Sequence, residues 1–174
     1  MKLLFISLGC DKNLVDSEEM LGMLAADGHE IVDDEDEAEV IIVNTCCFIG
    51  DAKEESVNTI LEMAEKKKAG TCKVLIVTGC MAQRYKKEIS EEIPEVDAIL
   101  GTTSYGDISK AVKEAQAGRH FEEYKSIDFL PDISGKRMLT TGGHFAYLKI
   151  AEGCDKHCTY CIIPRLRGGY RSVP

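Results

Sequence analysis

Short apolar runs alternate with amphipathic stretches over residues 1–120, and this alternation decides the fold class of the chain. The run Val40–Asn44 carries no charge, as expected for a strand that is buried on both faces of a sheet. The stretch from about Asp51 to Lys68 instead places apolar residues at helical spacing. Strands that alternate with helices are typical of a parallel α/β sheet. We therefore predict an α/β domain with a flavodoxin-like parallel sheet flanked by helices.

Five strands and four helices are predicted for this domain. The strands cover residues 3–8, 30–32, 40–44, 74–78 and 98–100, and the helices cover about 14–28, 51–68, 81–89 and 105–117. Right-handed crossovers allow the strand order 2-1-3-4-5. In that order the first, third and fourth strands lie side by side.

The composition excludes several classes of protein. With 174 residues, 44% hydrophobic and 29% charged, the chain has room for one domain and a remainder, and it is neither disordered nor fibrous. Its net charge of −9 disfavours binding of a nucleic-acid backbone by this segment. The apolar runs are far shorter than the ~20 residues that cross a bilayer. Charged Asp11 and Lys12 come too early for a secretory leader, so we expect a cytoplasmic protein without a membrane partner.

Cysteine is the unusual residue, with eight copies. A reducing cytosol does not maintain structural disulfides, so this many thiols indicate metal binding or catalysis. Cys72, directly before an apolar strand, is interpreted as a small buried hydrophobic residue. The other cysteines fall mainly into two groups of three.

The first group follows three predicted strands. Cys10, Cys46 and Cys80 come directly after strand residues and are separated by 36 and 34 residues, about one strand–helix–strand unit each. All three belong at the carboxyl edge of a parallel sheet, where neighbouring strands are ~4.8 Å apart. They could hold one iron–sulfur cluster with an open iron, or be core cysteines that share this placement by coincidence. The neighbouring Cys47 is not expected to be a ligand, because adjacent side chains at a strand end usually point apart.

The second group is compact. Cys154, Cys158 and Cys161 lie within eight residues, on a loop after a strand predicted over residues 145–150. A structural zinc site would need a fourth ligand, and His157, next to Cys158, would compete poorly for it. Three cysteines leave one metal position for a substrate, as in a [4Fe–4S] cluster with a unique iron.

This CxxxCxxC spacing, with Tyr160 before the last cysteine, resembles the radical S-adenosylmethionine (SAM) superfamily. The resemblance implies a [4Fe–4S] cluster on Cys154, Cys158 and Cys161 whose open iron binds SAM. It also implies a 5′-deoxyadenosyl radical formed by one-electron cleavage of SAM, with Tyr160 near the adenine.

Both groups together resemble the amino-terminal portion of a radical-SAM methylthiotransferase. The matching stretches are residues 7–10, 43–46, 78–84 and 152–168. Residues 10–18 and 144–154 are similar to the ribosomal-protein branch, whereas the transfer-RNA branch usually has Gln-Met-Asn where this chain has Asp11-Lys12-Asn13. The resemblance implies methylthio transfer to the β-carbon of an aspartate in a small-subunit ribosomal protein. It further implies an auxiliary [4Fe–4S] cluster on Cys10, Cys46 and Cys80, and an electron donor of the reductase or flavodoxin type.

The resemblance also divides the chain. Residues 1–120 are expected to form the α/β domain with the auxiliary cluster, residues 121–143 a linker, and residues 144–174 the first strand and cluster loop of a truncated radical-SAM (β/α) barrel. A complete barrel needs about 200 residues, so the chain alone is expected to be inactive. No side chain is assigned as a catalytic acid or base. A transfer-RNA methylthiotransferase and a zinc or thiol-redox module remain alternatives.

Overall fold

A six-stranded parallel sheet forms the centre of the protein. The computed structural model describes residues 1–131, 135 and 137–173. The strands are β1 (Lys2–Ser7), β2 (Glu30–Ile31), β3 (Val40–Thr45), β4 (Val74–Gly79), β5 (Ala98–Leu100) and β6 (Phe121–Glu123). Their order in the sheet is β2-β1-β3-β4-β5-β6. The predicted α/β class and the side-by-side placement of β1, β3 and β4 are confirmed.

Helices cover both faces of the sheet. They are α1 (Asp11–Ala26), α2 (Gly50–Lys68), α3 (Cys80–Arg84), α4 (Lys86–Glu92) and α5 (Ile108–Gln116), the last preceded by a 3-10 turn at Tyr105–Asp107. Helices α1 and α5 pack on one face, and α2, α3 and α4 pack on the other. Successive side chains of a strand point to opposite faces of the sheet. Ile42 of β3 therefore lies in the core beneath α1 and α5, and Ile41 lies in the core beneath α2, α3 and α4.

Two local features differ from the predictions. The helix predicted over 81–89 is divided into α3 and α4 at Tyr85, whose φ of −118° and ψ of 36° are not helical. Strand β6 was not predicted; it pairs in parallel with β5 at the start of the predicted linker. Three partly exposed edge residues carry too little alternation to signal a strand. The predicted linker includes residues 132–134 and 136, and the predicted barrel segment includes Pro174, all outside the described residues.

The segment after the sheet is anchored on α1. The carboxylate of Glu18 accepts hydrogen bonds from the backbone N–H of Thr140 at 2.6 Å and from Nε of Arg137 at 2.7 Å. The backbone N–H of Met138 donates to the carbonyl oxygen of Glu18 at 3.0 Å. Glu18 is fully buried in this arrangement.

The carboxyl-terminal part contains a second, two-stranded sheet. Strand β7 (Ala151–Glu152) pairs antiparallel with β8 (Arg171–Ser172). Helix α6 (Ile163–Arg167) comes between the two strands in the sequence. The prediction of a strand over residues 145–150 is wrong: those residues form no ladder, and Leu148 and Ile150 are exposed. A strand requires a hydrogen-bonded neighbour, and the pairing with β8 begins only at Ala151. Within the described residues, no helix combines the length and apolar character that a membrane crossing requires.

Candidate functional site

The first three cysteines lie at one edge of the sheet because β1, β3 and β4 end level with each other. Asn44 of β3 pairs with Ser7 of β1 on one side and with Thr78 of β4 on the other. Thr45 pairs with Gly79, so Cys46 and Cys80 follow at neighbouring positions. Cys10 is the N-cap residue of α1, three residues beyond the end of β1. Cys46 and Cys80 are buried, whereas Cys10 is exposed.

Asn13 of α1 connects the three strand ends. Its Nδ2 donates to the carbonyl oxygens of Leu8 and Thr45, both at 2.9 Å. Its Oδ1 lies 3.8 Å from Sγ of Cys80, within hydrogen-bonding distance of a thiol. One side chain therefore holds the backbone before Cys10, the backbone before Cys46, and the Cys80 thiol.

Two glycines make space where these loops meet. Gly9 and Gly79 have φ values of +104° and +93°, a region that favours glycine. A Cβ on Gly9 would lie 2.8 Å from Cβ of Cys46, and a Cβ on Gly79 would lie 2.6 Å from the carbonyl oxygen of Thr45. The sequence therefore keeps the smallest residue beside two of the three cysteines.

Burial disfavours the thiolate forms of Cys80 and Cys47. Burial raises the pKa of Cys80 to about 12, against the influence of nearby Arg167. Burial also raises the pKa of Cys47, which Arg84 opposes. A metal binds thiolate rather than thiol, so occupation of Cys80 by iron would release a proton.

The second group of cysteines lies on the loop between β7 and α6. The backbone N–H of Cys154 donates to the carbonyl oxygen of Gly168 at 3.1 Å, which closes the loop. A second bond, from the N–H of Cys161 to the carbonyl oxygen of Cys158 at 3.0 Å, forms a tight turn. Cys158 is exposed, and Cys154 and Cys161 are half-buried.

A cavity of about 610 Å³ lies along the loop of the second group, and none of Cys10, Cys46 and Cys80 lines it. Its wall includes Phe48, two residues after Cys46, and Arg84 at the end of the helix that begins with Cys80. The rest of its lining comes from the second loop and α6, and includes Cys158, Cys161 and the predicted adenine neighbour Tyr160. The ring of Tyr160 is exposed to this space.

Cysteine thiolates are the usual protein ligands of iron–sulfur clusters. Among the described residues, no three His, Cys, Asp or Glu side chains lie close enough to hold one metal ion. In a cluster each thiolate binds a different iron, so the sulfurs are held farther apart. The thiols at one sheet edge, and the space kept by Gly9 and Gly79, agree with a bulky inorganic group. The ligand roles of both cysteine groups stay predictions.

Sequence reasoning missed a buried ion network between the two groups. It consists of Asp16 of α1 together with Lys149, Glu152 and Arg167. Burial disfavours the charged form of Glu152, but the neighbouring cations outweigh it and lower its pKa to about 2. The only sequence signal was weak, because Arg167 is one of three arginines between residues 165 and 171.

Comparison with known proteins gives the family of the chain and a set of similar proteins. Residues 2–101 match the model of a family described as "Uncharacterized protein family UPF0004". A protein of Lachnoclostridium phytofermentans is 64% identical over all of this chain and 40% of its own length. Relatives from Clostridioides difficile and Geobacter sulfurreducens are 52% and 50% identical over 99% of this chain and 39% of their own lengths.

These three relatives are named "Ribosomal protein uS12 methylthiotransferase RimO". The names confirm the resemblance to the ribosomal-protein branch and do not favour the transfer-RNA alternative. The chain spans about 40% of the length of these relatives. Since the family model covers residues 2–101, more than half of the sequence, the chain belongs to the uncharacterized protein family UPF0004.

Proposed function

We propose that this chain provides two cofactor sites of an enzyme that transfers a methylthio group to the β-carbon of an aspartate in ribosomal protein uS12. The observation that carries the proposal is the cavity along the second cysteine loop. Its lining also includes Phe48, two residues after Cys46, and Arg84, at the end of the helix that begins with Cys80. Hydrogen removal and sulfur transfer act on the same carbon, so both sites must face one space. The names of the relatives support the substrate class.

In this proposal Cys10, Cys46 and Cys80 hold an auxiliary [4Fe–4S] cluster. Three thiolates leave one iron open for the sulfur that is to be transferred. Asn13 would fix the spacing of the ligands through its bonds to Leu8 and Thr45. Cys47, buried beside Cys46, would remain a thiol outside the ligand set.

Cys154, Cys158 and Cys161 hold the second [4Fe–4S] cluster, which binds SAM. Their loop is held in shape by the bond from Cys154 to Gly168. Tyr160, on the cavity wall, would contact the adenine of SAM. When bound, the two clusters and SAM supply the electron, the methylthio group and the radical that removes the hydrogen.

The side chains around the cavity have positioning tasks. A β-hydrogen of aspartate is unactivated, so no side-chain base could remove it near neutral pH, and we assign no acid or base. Arg84 and Arg165 bring two positive charges to the cavity wall, which suits the carboxylate of the substrate aspartate. Phe48 and Ile162 provide apolar wall that excludes water.

The domain division follows from the same proposal. Residues 1–120 would form the auxiliary-cluster domain, residues 121–143 a linker, and residues 144–174 the beginning of a radical-SAM barrel. The cysteine loop directly after β7, and the exposed apolar side chains of Leu148 and Ile150, support the last assignment. An electron donor of the reductase or flavodoxin type would act on the protein, and a ribosomal-protein substrate implies a cytoplasmic location.

The test uses a protein of the relatives' length that contains these residues, purified and loaded with iron and sulfide without oxygen. With SAM and a reductant, we expect a methylthio group on an aspartate of uS12, located by mass spectrometry. Cys46→Ala should abolish this product, whereas the matched variant Cys47→Ala should retain it. Modification of transfer RNA instead of uS12 would favour the other branch. A colourless protein that contains zinc would contradict the proposal.

A further inference from the structure

Arg167 is a fully buried arginine between the two cysteine groups, with only 1% of its surface exposed. It lies at the end of α6, in the segment that carries the second group, but it reaches into the α/β domain. Nη1 donates to Glu152 at 2.9 Å, and Nη2 donates to Asp16 at 3.0 Å and to Oδ1 of Asn13 at 2.6 Å. Arg167 therefore binds the residue that connects the ends of β1, β3 and β4.

Further ion pairs surround these contacts. Lys149 pairs with both Asp16 and Glu152, and Lys12 approaches Glu152 to 3.5 Å from the rim. Lys12 is partly exposed, so the buried part of the network joins two cations, Arg167 and Lys149, to two carboxylates, Asp16 and Glu152.

Arg167 is joined to Cys80 through the side chain of Asn13. Oδ1 of Asn13, which accepts the bond from Arg167, is 3.8 Å from Sγ of Cys80. A buried cation in this position stabilises negative charge on the sulfur and on whatever the sulfur binds.

We infer that Arg167 is a positioning residue that makes the auxiliary cluster easier to reduce and couples it to the segment carrying the SAM site. This inference rests on the proposed function, because it takes Cys80 as a cluster ligand. A cluster held by three thiolates gains negative charge on reduction, and its potential depends on nearby charge and hydrogen bonds. Without Arg167 the reduced form loses a buried cation that is joined to Cys80 through Asn13.

The test compares Arg167→Met with Lys149→Met in a protein of the relatives' length loaded with both clusters. Both substitutions remove one cation from the same two carboxylates, so a purely structural role predicts similar effects. Of these two cations, Arg167 alone also donates a hydrogen bond to Asn13 in the part of the chain that the structure describes. Midpoint potentials of the two clusters are measured separately by redox titration with electron paramagnetic resonance.

We expect Arg167→Met to shift the auxiliary cluster to a more negative potential and to leave the SAM cluster unchanged. Lys149→Met should shift the midpoint potential of the auxiliary cluster in the same direction by less than half as much. Arg167→Lys keeps the charge, so the midpoint potential of its auxiliary cluster should lie close to the wild-type value. If Arg167→Met does not fold, Arg167→Gln is the neutral variant to compare, because its amide can still donate to Asn13.

Equal auxiliary-cluster potentials in wild type and in the neutral Arg167 variant would overturn this inference, as would equal shifts in the Arg167 and Lys149 variants. Both of these results require two loaded clusters and leave the proposed function standing. A wild-type protein that binds no iron would overturn the proposed function, and this inference with it.

Discussion

The side-chain Nδ2 of Asn13 donates to the carbonyl oxygen of Thr45 at 2.9 Å, and so joins α1 to the end of β3 directly before Cys46. The same nitrogen donates to Leu8, before Cys10, at 2.9 Å. A helix side chain thus fixes two strand ends that are more than thirty residues apart in the chain. Asn13 therefore joins the strand ends that precede Cys10 and Cys46.

Asn13→Ala should therefore weaken both the fold and the auxiliary site. It leaves the carbonyl oxygens of Leu8 and Thr45 without this donor, at a cost of about 1–3 kcal/mol in the free energy of unfolding. Chemical denaturation measures the cost, and iron analysis measures cluster loading. Asn58→Ala, at an exposed position of α2, is the control and should change neither quantity. Full iron loading of Asn13→Ala would show that Asn13 does not organise the site.

Single cysteine substitutions separate ligands from bystanders. In a protein of the relatives' length, Cys10→Ala should lower bound iron from about eight to about four atoms per chain, because one cluster is lost. Cys47→Ala and Cys72→Ala should keep the full iron content, since neither thiol belongs to the predicted ligand sets. Iron loss in Cys47→Ala that equals the loss in Cys10→Ala would assign Cys47 to the cluster.

Gly79→Ala tests the close approach of the loops. Its φ of +93° disfavours a side chain, and a Cβ there would lie 2.6 Å from the carbonyl oxygen of Thr45. We expect a loss of about 1–3 kcal/mol in stability and a lower Tm by calorimetry. Gly50→Ala at the start of α2, where a Cβ meets no atom within 4 Å, should not lower Tm. Equal Tm values for the two variants would contradict the packing described here.

The ion network predicts that the free energy of unfolding depends on pH in the acidic range. The pKa of Glu152 falls from 4.5 to about 2 on folding, so the unfolded state takes up its proton first as the pH drops. The ionised Glu152 contributes on the order of 3 kcal/mol to the free energy of unfolding. This contribution is complete above about pH 5 and is lost as the pH falls towards 2. Glu152→Gln should flatten the curve of unfolding free energy against pH in this window.

The exposed Glu62 on α2 provides the matched control for that measurement. Glu62→Gln should retain the slope of the wild type between pH 5 and pH 2. A Glu152→Gln variant with the wild-type slope would show that Glu152 is not held charged by Arg167 and Lys149.

The sheet was predictable because its signals are local. The uncharged run Val40–Asn44 indicated a buried strand, and the order of strands and helices gave the position of β3 between β1 and β4. Placement of Cys46 and Cys80 at one edge followed from that order. The spacing of the cysteines alone left the role of the first group open, and the resemblance to the methylthiotransferase family implied both ligand sets.

Long-range polar contacts were not predictable. The bond between Arg167 and Asn13 joins residues 154 positions apart, and no periodicity reports on such a pair. The break at Tyr85 depends on a backbone angle that packing sets rather than the sequence pattern. Alternation over residues 145–150 suggested a strand, but a strand also needs a neighbour, which sequence alone does not supply.

The most direct test of the two-site account is a crystal structure of the iron-loaded protein, grown without oxygen, with anomalous scattering measured at the iron edge. We expect two separate iron peaks, one in contact with the sulfurs of Cys10, Cys46 and Cys80 and one with those of Cys154, Cys158 and Cys161. Iron at the second position alone, or a first peak that Cys10 does not contact, would contradict the account.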